Sequence, residues 1–238
     1  MLARYSFRPR GWLLALAAAA CAAGIALGSW QTRRAEEKRA LGAEVDQALK
    51  AAPIEISSTL VENKNLILKR VAARGEFVAE RTVFLDNKMR RGRVGYEVIT
   101  PFRLSRSAVH VLVDRGWVAA SPSRDVLPQV RTPAGETRVE GLALERLPHA
   151  LQLKEKPQSR VRQNVDLGAF AADTGLALQP IVIEQRSDSG DGLLREWPRP
   201  DAGIERHRSY ALQWYSLAAL AVVLAVVLSL RRDPNFQK

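Results

Sequence analysis

Two uncharged runs near the ends of the chain, with about six alternating apolar stretches and short turns between them, predict the fold class. It is a membrane protein with two transmembrane helices enclosing one α+β extracytoplasmic domain, built on a mainly antiparallel sheet or small open barrel. The first run, Gly11 to Trp30, holds no charge over 20 residues, and the second, Ser209 to Leu230, none over 22. At 1.5 Å per residue each spans about 30 Å, the thickness of one hydrocarbon core.

The first run reads as a retained anchor rather than a signal peptide. It outlasts a signal's apolar core and continues past any Ala-x-Ala site into Ile25 and Leu27. The second is bracketed by Arg208 and Arg231, with Trp214 and Tyr215 near its start, where interfacial aromatics belong. Arg4, Arg8 and Arg10 precede the first run, and Arg231, Arg232 and Lys238 follow the second, so both tails are expected in the cytoplasm. The ten residues ahead of the first run leave no room for a mitochondrial transit peptide. The expected setting is a bacterial cytoplasmic (inner) membrane. The expected domains are a cytoplasmic tail 1–10, a transmembrane helix 11–30, a periplasmic domain 31–208, a transmembrane helix 209–230 and a cytoplasmic tail 231–238.

Within the loop, residues 31–52 predict a helical stalk with Leu41, Val45, Ala48 and Leu49 on one face, ended by Pro53. From Lys69 the period changes to that of strands. "KRVAARGEF", "RTVFLDNK", "VGYEVITPF", "HVLVDRGWVAA", "ETRVEGLAL" and "LQPIVIEQ" read as six strands, with Val111, Val113 and Trp117 sharing one side of the fourth. "RRGR" at 90–93 is a Gly-containing turn. "NVDLGAFAADTG" predicts one short helix, with Asp166 near its start and Gly175 after its end.

Composition excludes several function classes. The formal net charge is +11, but the basic residues are scattered through apolar alternation, so nucleic acid is not an expected partner. Six of the 36 basic and one of the 25 acidic residues lie in the tails, leaving the loop at +6, suited to anionic lipid or an acidic partner. The single cysteine, Cys21, excludes an internal disulfide and multi-thiolate sites. The chain has no GxSxG elbow, HExxH, GxGxxG or Walker loop, and an enzyme is not expected. Asp86 and Asp114 sit beside basic residues, where ion pairs with Lys88 or Arg115 are favoured over a general acid–base pair. Lys88, Arg90, Arg91 and Arg93 form either a solvated hairpin tip or an anion-binding cluster, and Trp117 reads as a core residue. His207 aligns on one helical face with Tyr210, Ala211 and Trp214, flanked by Arg206 and Arg208. A neutral imidazole can serve as an axial haem ligand and arginines can meet propionates, but spacing alone favours an interfacial histidine without a ligand.

Four ordered blocks resemble the surfeit locus protein family, membrane-bound assembly factors of cytochrome c oxidase. They are "LGSWQTRRAEEK" at 27–38, "GEF" followed by "LDN" and "GRVGYEVITPF" at 92–102, "VLVDRGWV" at 111–118, and "HRSYALQW" at 207–214. The motif residues carried over are Trp30, Gln31, Asp86, Asn87, Gly95, Tyr96, Arg115, Gly116 and Trp117. The resemblance implies a non-enzymatic factor that binds haem a transiently and hands it to the catalytic subunit of the oxidase. It implies His207 as axial ligand and no metal other than the haem iron, while Arg206, Arg208 and Trp214 are candidate cofactor contacts by their position beside it on the helix. It further implies contacts with haem a synthase and membrane lipid. Two positions depart from the family pattern: Arg206 stands where relatives often carry Asn, and "QNVDL" where many carry a tryptophan. The alternative is a membrane scaffold that stabilises an oxidase assembly intermediate without a cofactor.

Overall fold

The computed structural model describes residues 5–60, 64–123, 126–149 and 159–232. In chain order its elements are β1 (Tyr5–Phe7), α1 (Gly11–Lys50), β2 (Ile54–Glu55), β3 (Arg70–Phe77), β4 (Val83–Arg90) and β5 (Arg93–Leu104). There follow β6 (Val109–Ala119), β7 (Thr137–Leu144), β8 (Val161–Arg162), α2 (Leu167–Thr174), β9 (Ala177–Gln185), α3 (Ile204–Ser229) and β10 (Leu230–Arg232). They fall into two compact units, residues 1–43 with 199–238, and residues 44–198.

The first unit is a helical hairpin. α1 and α3 are both long and apolar enough to cross a membrane. The less exposed positions run Gly24, Gly28, Gln31, Ala35 on α1 and His207, Ala211, Trp214, Ala218 on α3. Alternating steps of three and four are the heptad spacing of a two-helix seam. Small residues let the backbones close in. A Cβ built on Gly24 would lie 2.9 Å from Ala218 Cβ, and one on Gly28 2.6 Å from the Tyr215 ring. Away from the seam, Leu16, Ile25, Leu212, Leu220 and Leu228 are exposed, as a lipid-facing surface requires. At the far end β1 pairs antiparallel with β10, Tyr5 opposite Arg232, so both tails leave at the same end of the hairpin.

The second unit contains a closed barrel. β3, β7, β9, β6 and β5 pair in that order, and β5 returns to β3 through Gly75–Leu104, Glu76–Arg103 and Phe77–Phe102. Closure removes the exposed edges that an open sheet would leave. The expectation of an open barrel is therefore corrected. The sheet is mainly antiparallel, but β6 and β9 run parallel. β5 achieves closure by changing partners along its length, pairing with β4 up to Ile99 and with β3 from Phe102. Pro101 sits at this switch, its carbonyl accepting from the Val78 N–H at 2.8 Å. Its polar edge thus faces the gap between two partners, where a missing N–H costs no ladder bond.

Alternation along each barrel strand points one set of residues inward. Val71, Ala73, Phe102, Val111, Val113, Val139, Ile181 and Ile183 form one buried cluster. Outside, Leu85, Ile99, Leu112 and Val182 pack with Phe170 of α2. The Asp166 side chain accepts from Ala169 N–H at 2.9 Å to cap α2, and Gly175 ends it in the left-handed region at φ 72°. Leu41, placed on the stalk's apolar face by period alone, is exposed. Gly42 takes the seam position instead, where a Cβ would lie 2.9 Å from Asp201 Cβ.

Candidate functional site

α3 begins at Ile204, five residues before the uncharged run, which puts His207 inside its first turn. There the imidazole lies in the helical seam and its Nδ1 meets Gln31 Oε1 at 2.7 Å. His207 is thus a seam residue with a specific partner, half-buried rather than stray at a membrane edge.

The other expected cofactor residues do not gather around it. Arg206 is exposed on one side of the wheel. Arg208 lies on the other, donating to Glu205 at 2.8 Å. Trp214 follows His207 along the seam, two turns on, its carbonyl oxygen 2.9 Å from where a Gly24 Cβ would fall. Arg208 instead lines a groove of about 380 Å³ with Arg39, Ala211, Leu212 and Tyr215. Its lining joins two arginines and the Glu36 carboxylate to an apolar floor, a net positive amphipathic surface, and His207 is not among the lining residues.

The central motif residues build architecture. Gly95 faces Trp117, and a Cβ there would collide with the Val118 carbonyl and the indole ring. The indole lies 7% exposed and donates Nε1–H to the Lys88 carbonyl at 2.8 Å. A register shift between Leu85 and Lys88 includes Asp86 and Asn87, with Asn87 at φ 59° and its N–H donating to Asp86 Oδ1 at 2.7 Å. Tyr96 packs edge-on against Phe84. Gly116, at φ 135°, and a bulge in the β5–β6 ladder turn Trp117 away from the barrel-interior cluster that holds Val111 and Val113. The expectation that the three share a side is corrected. Trp30 is exposed on α1.

The expected ion pairs are also corrected. Consecutive strand residues point to opposite faces, so Arg115 cannot meet Asp114. Arg115 pairs with Asp191 at 2.9 Å, both side chains fully buried, and its guanidinium lies over the Phe77 ring. Lys88 pairs with Glu97 at 3.1 Å, not with Asp86. Arg90 also pairs with Glu97, and Arg91 with Glu196 from 105 residues away, so two carboxylates offset two of the four cations at the hairpin tip. Neither Asp191 nor Glu196 was singled out by the sequence, because partners brought together by folding leave no local pattern.

Asp114 is buried on the outer face, and its Oδ1 meets no hydrogen-bond donor among the described residues. Burial pushes its carboxyl well above the ordinary carboxylate range, and the charges of Glu97 and Glu184 add to the rise, against Lys88 and the Gly116 N–H. A carboxyl raised in the folded state costs nothing where both states are protonated. Stability falls as pH rises from the unfolded value through the folded one. Asp114→Asn should therefore flatten the loss of the unfolding midpoint between acidic and mildly alkaline pH. Equal slopes for the two proteins would refute this. Some slope should persist, because burial also raises Glu184.

Among the described residues no three His, Cys, Asp or Glu side chains converge as a metal site. His110 is buried in β6, and His149 lies outside the seam with Nδ1 3.2 Å from the Leu147 carbonyl. Two helices long and apolar enough to cross a membrane, a barrel encoded between them and a histidine bonded within the helical seam define a two-helix, barrel-bearing class of protein. The chain belongs to the SURF1 family, whose model matches residues 18–219. It is 28% identical over 236 residues to the rat protein named Surfeit locus protein 1, covering 90% of this chain and 74% of that one. Its identity to the human protein of the same name is 28% over 230 residues, 88% and 75% covered. A SURF1-like protein of Rickettsia bellii is 27% identical over 210 residues, with 84% and 83% covered. Gln31 belonged to the resemblance, but its bond was not foreseen. The spacing Gly24, Gly28, Gln31, Ala35 is the signal that would have put it in the seam.

Proposed function

We propose that the protein is a non-enzymatic assembly factor for cytochrome c oxidase that holds haem a transiently through His207 and passes it to the catalytic subunit. One observation carries this reading: the seam histidine is held through Nδ1 by Gln31. This leaves Nε2 to act as ligand. The donor fits, since a neutral imidazole nitrogen is an ordinary axial ligand to haem iron. When bound, haem a supplies an iron centre that accepts one such nitrogen.

The chain's own residues would do the rest. Arg39 and Arg208 outnumber the single carboxylate of Glu36 at the groove, which leaves one guanidinium in excess for an acidic substituent, while Leu212 and Tyr215 supply apolar contact. A single modest ligand favours exchange over permanent retention. Membership of the SURF1 family and the family resemblance support the oxidase role. The arginines of the two tails and the shared exit of the tails favour cytoplasmic termini and a periplasmic barrel in a bacterial inner membrane. Haem a synthase, the oxidase subunit and lipid are the proposed partners.

The separation of Arg206 and Arg208 onto opposite sides of His207 favours the scaffold alternative enough to make it the rival outcome. The test is the visible spectrum of the full chain purified after co-expression with haem a synthesis, beside His207→Ala. Haem a bands are expected in the native protein and absent from the variant. Bands missing from both would leave the scaffold, and bands retained by the variant would overturn His207 as the ligand. A deletion strain should also contain oxidase with reduced haem content.

A further inference from the structure

We propose that Gln31 is the positioning residue for His207, fixing the imidazole tautomer whose Nε2 carries the free lone pair. This rests on the haem a reading above and adds to it a residue that acts through the ligand without touching the cofactor.

The two side chains come from the beginning and end of the chain. They meet because both occupy seam positions, Gln31 one heptad step after Gly28 and His207 one step before Ala211. Neutral imidazole has one N–H and one lone pair. The carboxamide oxygen facing Nδ1 at 2.7 Å can only accept, so the proton sits on Nδ1 and the lone pair on Nε2. The same bond stops the ring from turning. Neighbouring close contacts reinforce the register: the Tyr215 hydroxyl lies 3.4 Å from both Ser29 Oγ and Thr32 Oγ1. Lys38 Nζ donates to the Ala202 carbonyl at 2.9 Å. Gln31 is therefore held from both sides along α1, and a ring bonded to it is aimed before any ligand arrives. A hydrogen bond to the distal ring nitrogen also raises the basicity of the coordinating one.

Two measurements on the full chain in detergent micelles test this. The first needs no haem. Nitrogen-15 spectra of histidine-labelled protein, above the pH of imidazole protonation, should show His207 as the Nδ1–H form, with its signals identified by their loss in His207→Ala. Gln31→Leu should convert it to a mixture of tautomers, and Gln31→Glu, nearly isosteric and still an acceptor, should keep Nδ1–H. An Nε2–H form in the native protein would overturn the assignment. The second is titration with haem a. Gln31→Leu should weaken binding about 10- to 100-fold, the usual effect of removing such a partner. Gln31→Glu should bind and shift the midpoint potential downward. Unchanged affinity and potential in both variants would overturn the positioning role while His207 remained the ligand. Haem binding that survives His207→Ala would instead overturn the ligand assignment, with the tautomer result standing by itself.

Discussion

Asp191→Ala is expected to cost about 3–5 kcal/mol, the range seen when one partner of a buried pair is removed. The carboxylate is fully buried and accepts from Arg115 at 2.9 Å and from Arg195 through both oxygens at 2.9 and 2.8 Å. Its Oδ1 also accepts from the Leu193 N–H at 3.2 Å. Among the described residues, removing it leaves the fully buried Arg115 guanidinium with Thr132 Oγ1 and the Arg131 carbonyl as hydrogen-bond acceptors, and Arg195 with the exposed Asp188 and the Leu193 carbonyl, each at 3.5 Å. Neither cation can give up its proton to escape the cost. Asp191→Asn keeps the shape and an acceptor and should lie between the two proteins. Denaturant unfolding of the full chain measures the difference, and a loss below about 1 kcal/mol would mean that water or a rearranged partner replaces the carboxylate.

Gly75→Ala should be the next most damaging change, about 3 kcal/mol at the upper end of overpacking costs. Gly75 stands opposite Leu104 where β3 meets β5 to close the barrel. A Cβ there would land on the Arg103 carbonyl, a backbone group that cannot swing aside, with the Phe102 ring 3.0 Å away. Relief requires β3 and β5 to part, which reopens the barrel along its shortest seam. Hydrogen exchange should accelerate first at Val78 and Ser105, whose N–H groups donate across this junction to the Pro101 and Arg74 carbonyls. Gly92→Ala provides the contrast. It lies at φ 73° in the β4–β5 turn with nothing within 4 Å of an added Cβ, so its cost is conformational strain of about 1 kcal/mol and leaves closure intact. If the two variants unfold alike, close approach is not what Gly75 provides.

How far the fold can be read from the chain depends on the range of the forces involved. The six long strands follow from period-two alternation, and α2 follows from Asp166 and Gly175 because a cap acts within four residues. The Arg91–Gly92 turn is equally local, and both residues have positive φ. Trp117 could be read as buried from its apolar bulk, but not as the residue that uses Gly95 and the Lys88 carbonyl. Lys88 and Arg115 were plausible partners for nearby aspartates by sequence distance alone. The pleat separates Asp114 from Arg115, and burial then selects Asp191, 76 residues away.

The candidate site divides in the same way. The sequence by itself determined two apolar helices, because an uncharged run of that length has few other stable environments. It also marked His207 as the polar residue where the second helix begins. Tertiary structure alone decided that His207 faces Gln31, 176 residues earlier, whereas helix geometry by itself turns Arg206 and Arg208 to opposite sides of it. Tertiary structure alone also decided that β5 returns to β3 and closes the barrel. Local chemistry sets which conformation each segment prefers. Which distant groups meet is settled by burying the apolar faces together while pairing most of the charges and backbone groups buried with them.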